Sequence, residues 1–256
     1  MKLLIGIPTA GSPAKPFLES LAKLQLPEAV TSVDRITVTG NFVPAQRELI
    51  LRRALSIGAG AIAMIDDDIV LPPDALARLN EVLEAQPGCA LAGALYYSRD
   101  GLRPMAVNGW SELETTAART PAFDRSPVEV DGVGFGCVLM RCSVLANLDQ
   151  PFVGTQVYVE ETANRVRICN EDYLFCAKLR RAGHAIVLDP RVRCGHYDRA
   201  ANRIVPEVWE PAASTSIDRM TVMHPDGSVS LVPFDANTPQ AKERHMTAPL
   251  DYIFAD

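Results

Sequence analysis

The sequence predicts an α/β fold: a mostly parallel central sheet flanked by helices, with a small C-terminal β-hairpin extension. Three observations carry this. Short apolar runs alternate with helical stretches over the first two-thirds of the chain, the pattern of strands joined by crossover helices. Several of those runs end in loops rich in glycine, proline or acidic residues. Late in the chain, TVMHPDGSVSLV places Pro225 to Gly227 between two β-rich stretches, a hairpin signal.

The elements follow in order. LLIGIP, residues 3–8, is a β-branched run closed by Pro8 and followed by the turn-rich TAGSPAKP, so a strand feeds a loop. From Pro16 to Leu26, Phe17, Leu21 and Leu24 recur at helical spacing, and RITVTG at 35–40 reads as a second strand. PAQRELILRRALSIGAGA carries Leu49, Ile50, Arg53 and Ile57 along a helix that stops at Gly58 and Gly60. AIAMI, 61–65, is the next strand, and PPDALARLNEVLEAQPG a helix with prolines suited to its first turn. CALAGALYY, 89–97, is again a strand. The stretch from Ser98 to Val128, around Trp110, is polar and proline-containing, suited to a substrate loop or to a plain surface insertion. VEVDGVGFGCVLMRCSVL, 128–145, returns to strand, glycine-rich turn, apolar strand and the start of a helix near Ser143. NEDYLFCAKLRRAGHAIVLDP, 170–190, is a helix opening on two acids and then a strand.

Composition narrows the function classes. The chain has 256 residues, 48% of them hydrophobic, and a net charge of −6, which argues against broad, nonspecific nucleic-acid binding. A local basic face remains open, because Arg47, Arg52, Arg53, Arg180 and Arg181 cluster in sequence. Six cysteines form no CxxC pair, the usage of reduced core thiols. No apolar run reaches the roughly 18–20 residues of a membrane span, and the opening MKLLIGIPTAG lacks a signal peptide's basic and apolar regions. A cytoplasmic protein without a membrane span is expected; oligomeric state is not readable.

The chemistry concentrates in AMIDDDIVLPPDAL, residues 63–76. Three adjacent carboxylates, Asp66, Asp67 and Asp68, repel one another unless a cation or a set of donors offsets them. In an extended segment, residues two apart point the same way, so Asp66 and Asp68 would face one ion while Asp67 faces elsewhere. Hard carboxylate oxygens favour magnesium or manganese. The plain alternative is an acidic loop leading into the helix near Pro72, with Asp74 a dipole-favourable residue of its first turn. The triplet follows a strand expected to be buried, at the edge where parallel sheets bind ligands, and Thr9 would share that edge.

Taken in order, IGIPTAG, PAQRELILRRALSIGAGAIAMIDDDIVLPPDAL, VGFGCVLMRCSVL, NEDYLFCAKLRRAGHAIVLDP and CGHYD resemble the GT-A glycosyltransferases, particularly the family 2-like enzymes that use nucleotide-diphosphate sugars. The resemblance runs from Leu3 to Asp198. It implies a single GT-A (Rossmann-like) domain over residues 1–203 and a C-terminal extension over 204–256 packing on the core or the acceptor site. It also implies sugar transfer from a UDP- or GDP-sugar, with Mn2+ or Mg2+ as cofactor, to an acceptor hydroxyl, with inversion. Asp68 would be the direct metal ligand, and Asp66 would hold the ribose or support the metal through water. Asp67 would contact the ribose or the donor sugar, and His196 would add a further metal ligand, although a lone histidine is more often structural. Asp172 would be the base that takes the acceptor's proton, with Glu171 holding the acceptor or the base; a helix cap explains the pair independently of function. Pro8, Thr9 and Ala10 would line the base and ribose. Arg47 would pair with a phosphate or remain a solvated helix charge. The glycines from Gly132 to Cys137 would allow close approach of sugar or acceptor, or serve a tight turn.

The acceptor is unspecified: a glycan, a lipid-linked sugar, a protein side chain or a hydroxylated DNA base. Two other classes stay open. One is a sugar-nucleotide pyrophosphorylase or nucleotidyltransferase, for which TAGSPAK is a poor phosphate loop; the other is a non-catalytic nucleotide-sugar-binding relative.

Overall fold

The computed structural model describes residues 1–109, 121, 125–160, 165–206, 219–223 and 229–233. In chain order the elements are β1 (Lys2–Thr9), α1 (Lys15–Leu21), β2 (Ser32–Thr39), α2 (Val43–Ser56), β3 (Ala61–Ile65), β4 (Ile69–Val70), α3 (Ala75–Ala85) and β5 (Cys89–Leu95). Then come β6 (Ala106–Val107), β7 (Val128–Glu129), β8 (Gly132–Val133), β9 (Cys137–Arg141), a 3-10 helix (Cys142–Asn147), β10 (Gln156–Glu160) and β11 (Arg165–Cys169). The remainder is α4 (Glu171–Arg181), β12 (Ala185–Arg193), β13 (Gly195–Asp198), β14 (Arg203–Val205), β15 (Arg219–Met223) and β16 (Val229–Pro233).

The central sheet has seven strands in the order β2-β1-β3-β9-β5-β12-β7. β2, β1, β3, β5 and β12 run the same way, while β9 and β7 run against them. The mostly parallel sheet predicted from the alternation is therefore present, and β9 inserts antiparallel between β3 and β5. Strand alternation divides the core in two. Leu4, Ile62 and Met64 face α2 and α4 through Ile50, Leu51, Phe175 and Leu179. Leu3, Ile5, Ala63 and Ile65 face α1 and α3 through Phe17, Leu76, Leu79 and Leu83. Helices on both faces bury the sheet, which is why its strands read as continuous apolar runs.

Boundaries moved where local chemistry differs from periodicity. α3 starts after Pro72 and Pro73, with Asp74 as N-cap instead of a residue of the first turn. Asp74 pairs with Arg78 one turn on. The helix expected near Ser143 is a 3-10 turn. On α2 the buried side is Pro44, Gln46, Arg47, Ile50, Leu51 and Ala54, and Leu49 is exposed. All six cysteines are buried, and none forms a disulfide among the described residues.

The late hairpin is formed by β15 and β16, paired antiparallel; its turn, with Pro225 to Gly227, lies outside the described residues. So do Trp110 and most of the segment to Val128, while residues 98–109 form a tight turn and β6, which pairs with β8. β14 runs from Arg203 to Val205, across the position where the C-terminal extension was expected to begin, and pairs with β13. Among the described residues, no helix is long and apolar enough to cross a membrane.

Candidate functional site

Because the major strands are parallel, their carboxyl ends share one edge, and the acidic triplet lies there after β3. It does not continue the strand. The Ile69 N–H donates to the Asp66 carbonyl (3.2 Å), closing a turn, and the chain then pairs as β4 with β13. The expectation that Asp66 and Asp68 point the same way assumed extended backbone. In the turn, the three carboxylates instead meet three different sets of partners.

Asp66 faces Arg47. The guanidinium Nη2 reaches both Asp66 oxygens, at 2.8 and 3.0 Å, and Nη1 donates to Glu171 Oε1 at 2.5 Å. Arg47 is only 4% exposed and lies 5.3 Å from the centre of the Phe135 ring, a cation–π distance. It is thus not a solvated helix charge; it bridges the triplet to the start of α4. Burial alone would depress its pKa, but the charges of Asp66, Glu171 and Asp172 more than offset this and raise it. Its Nε, like Gln46 Oε1, is buried with no hydrogen-bond partner among the described residues.

Asp67 faces the end of β1. Thr9 Oγ1 donates to its Oδ2, and Arg199 Nη2 lies 3.2 Å from its Oδ1. Gln46 Nε2 donates to the carbonyls of Thr9 (2.9 Å) and Gly40 (2.7 Å), tying the ends of β1 and β2 together. Pro8 is buried within β1 and in register with Val38, whereas Ala10 is exposed just beyond it.

Asp68 is nearly buried and faces His196. Its Oδ2 lies 3.4 Å from His196 Nε2 and 2.7 Å from Arg99 Nη2. The pairing of β4 with β13 sets His196 opposite Ile69, and the Tyr197 N–H donates to the Asp68 carbonyl at 2.8 Å. His196 Nδ1 lies 2.8 Å from the Tyr97 carbonyl, an acceptor only, so Nδ1 carries the proton and Nε2 turns to Asp68. Burial works to lower the histidine's pKa, but the Asp68 carboxylate and the Tyr97 carbonyl raise it overall. Burial works to raise that of Asp68, but His196 and Arg99 bring it below the usual value.

Asp172 is 7% exposed in the first turn of α4, its Oδ1 accepting from the Tyr173 N–H at 2.8 Å. Burial pushes its pKa up to about 7; Arg47 works against the rise and Glu171 adds to it. Asn170 occupies the N-cap without a side-chain capping bond. The glycines of 132–136 make close approaches to side chains of the protein itself. A Cβ on Gly136 would fall 2.6 Å from the Tyr96 ring, and one on Gly132 2.7 Å from Tyr173. The Gly136 N–H donates to the Tyr96 hydroxyl and its carbonyl accepts from Asp66 N–H, so this packing also holds the triplet's backbone.

The donor set suits a divalent cation at one place. Asp68 Oδ2 and His196 Nε2 are adjacent, and the imidazole is fixed by its other nitrogen, as metal-ligating histidines usually are. Both oxygens of Asp66 are occupied by Arg47. Among the described residues no group of three or more His, Cys, Asp or Glu side chains gathers to hold a metal. Two protein ligands, with phosphate oxygens and water completing the shell, is the usual way a cation is held against a nucleotide diphosphate. Among the described residues, Asp68 and His196 are thus the pair that could hold such a cation.

Arg99 and Arg199 were not identified from sequence as site residues. One signal was available: each closely follows an element at the ligand-binding edge, Arg99 after β5 and Arg199 after His196.

An acidic turn and an acidic helix start thus meet at the carboxyl edge of a seven-stranded, mostly parallel sheet, an architecture consistent with a GT-A domain. The chain belongs to the glycosyltransferase-like family 2, whose model matches residues 25–210. No curated protein sequence matches it. Its fold is similar to the crystal structure of A197 from STIV, at 17% identity over 92% of this chain and 96% of that one, with a TM-score of 0.54. It is also similar to GalNAc-T7 crystallised with UDP, GalNAc and Mn2+, at 10% identity over 76% of this chain and 43% of that one, with a TM-score of 0.51. This chain thus matches less than half the length of GalNAc-T7. A weaker likeness, TM-score 0.42 at 15% identity, is to CMP:2-keto-3-deoxy-manno-octonic acid synthetase complexed with CTP, over 73% of this chain and 89% of that one.

Proposed function

We propose that the protein transfers a sugar from a UDP- or GDP-sugar to an acceptor hydroxyl, with a divalent cation, in a single inverting displacement. The observation that carries this reading is the Arg47 bridge, which joins the Asp66–Asp68 turn to the Glu171–Asp172 helix start across the carboxyl edge of the sheet. Family membership supports the reaction class, and GalNAc-T7, which shares the fold, was crystallised with UDP and Mn2+.

In this reading Asp68 and His196 hold the cation, which when bound stabilises the charge of the departing nucleoside diphosphate. Thr9 and Asp67 meet the ribose, with Pro8 and Ala10 flanking the base. Arg47 fixes Asp66 and Glu171 so that neither carboxylate swings into the donor's place. Asp172 takes the proton from the acceptor hydroxyl as that oxygen attacks the anomeric carbon. A base with a pKa of about 7 is well matched to this task near neutrality. Beyond β14, which belongs with β13 on the donor side, the rest of the 204–256 extension, most of it outside the described residues, would serve the acceptor side.

Calorimetry with UDP and with GDP, with and without Mn2+, tests the donor site on the wild type and on Asp68→Ala. The expected result is nucleotide binding that requires Mn2+ and is lost in the variant. Binding of one nucleotide that ignores both the metal and the substitution would remove Asp68 from the donor site.

A further inference from the structure

We infer that Arg99 is a built-in stand-in for the divalent cation at Asp68. It gives up the carboxylate when the cation binds and then, together with Arg199, takes the donor's diphosphate. This rests on the donor-site reading above and adds to it a function for two arginines, Arg99 and Arg199, that the sequence reading did not single out.

The contact pattern is the starting point. Arg99 Nη2 and His196 Nε2 converge on the same atom, Asp68 Oδ2, at 2.7 and 3.4 Å. A cation held by Asp68 and His196 would compete for that oxygen with the guanidinium. The Asp68 side chain is 5% exposed whereas that of Arg99 is 66% exposed. The acid is therefore fixed in the protein while the base reaches it from the solvent side and can leave without opening the core. Solvent around the exposed guanidinium screens the pair and weakens it.

The backbone carrying Arg99 is firm. Ser98 N–H donates to the Arg103 carbonyl at 2.8 Å and Gly101 N–H to the Ser98 carbonyl at 2.7 Å; Leu102 N–H donates to Asp100 Oδ1 at 3.0 Å. Tyr97, whose carbonyl holds His196, bridges to Pro104 at the base of the same turn. Arg199 is presented similarly, from a turn in which Asp198 Oδ1 accepts from the N–H groups of Ala200 and Ala201. Its contact with Asp67 is a single 3.2 Å approach by a side chain 44% exposed. Two guanidinium groups on fixed turns thus flank the triplet, each held by one carboxylate of Asp67–Asp68. Without a cation they offset its charge. With a cation on Asp68 they become donors for an anion at the same place, and guanidinium geometry suits the paired oxygens of a diphosphate.

The test is titration of Mn2+ alone, followed by electron paramagnetic resonance, and then of UDP and GDP in excess Mn2+ by calorimetry. It compares the wild type, Arg99→Ala, Arg99→Lys and Arg199→Ala, with thermal melts to verify folding. Removing the competing guanidinium in Arg99→Ala should tighten Mn2+ alone by about 2- to 5-fold. The same substitution should weaken the nucleoside diphosphate by about 10-fold or more, as loss of a charge-assisted hydrogen bond does. Arg199→Ala should weaken the nucleotide and leave Mn2+ alone unchanged, and Arg99→Lys should fall between alanine and wild type on both readouts. Opposite signs for metal and nucleotide at Arg99 distinguish exchange from a general loss of site structure. If Arg99→Ala weakens both ligands or changes neither, while the wild type binds nucleotide with Mn2+, the exchange is wrong and the donor site stands. If the wild type binds neither Mn2+ nor nucleotide, both fall together.

Discussion

Asp172 is the residue on which chemistry and stability most directly oppose each other. Its carboxyl is buried and its pKa is pushed up to about 7, so the folded protein holds its proton more tightly than the unfolded chain does. The folded state therefore loses stability relative to the unfolded state as pH rises from the ordinary carboxylate value toward 7. At about 1.4 kcal/mol per pH unit, that is on the order of 2–3 kcal/mol between pH 5 and 7. Asp172→Asn removes the ionisation but keeps the shape. The variant should gain stability relative to the wild type steadily over that window, read as a melting-temperature difference that grows with pH. If Asp172 is the base, the same variant should lose about 100-fold or more in turnover, and the wild-type kcat/KM should climb to a plateau above about pH 7. A melting-temperature difference that stays flat from pH 5 to pH 8 would show that the carboxyl is not held protonated.

At the scale of elements, Arg47 is the joint between α2, the turn after β3, and α4. One guanidinium serves Asp66 and Glu171, with Asp172 close enough to raise its pKa further. Removing it leaves these carboxylates without their counter-charge, which typically costs about 3–5 kcal/mol for a buried partner. Arg47→Met should destabilise by that order in urea melts at pH 8, and the deficit should shrink toward pH 5 as the abandoned carboxylates take up protons. Arg47→Lys should recover only part of it, because an ammonium cannot reproduce the planar fork that reaches both acids. Equal stability of wild type and Arg47→Met at pH 8 would show that the bridge contributes nothing net. The elements themselves were largely legible: AIAMI is β3 to the residue, and NED opens α4. Hydrophobic period and glycine or proline stops are local signals, and these segments obey them. The turn at Asp66–Ile69 was not legible, because it depends on pairing with β13 more than a hundred residues away. Nor were the partners of the acids. Sequence marks Arg47 as a helical base, but only the fold brings it to Glu171, and Arg99 to Asp68, across long separations.

On the scale of the whole molecule, the site is assembled from segments spread from Thr9 to Arg199, and β14 supports its His196 end. That strand pairs with β13 through Val205↔His196 and Arg203↔Asp198, so it braces the strand that carries His196 toward Asp68. Every described contact of the donor-side residues falls before residue 206. If residues beyond it serve the acceptor, a chain ended after Pro206 keeps β14 and should retain Mn2+-dependent nucleotide affinity within about 2-fold of the full chain, since no donor contact among the described residues is removed. Transfer to the acceptor should fall while hydrolysis of the nucleotide sugar, which needs only water, persists. A second chain ended after Asn202 removes β14 as well, leaving β13 with an unpaired edge, and should lose metal-dependent binding because His196 is no longer braced. Calorimetry and release of nucleoside diphosphate with and without acceptor separate the two cases. If the longer truncation also loses nucleotide binding, the C-terminal segment belongs to the donor site and the division of labour proposed here is wrong.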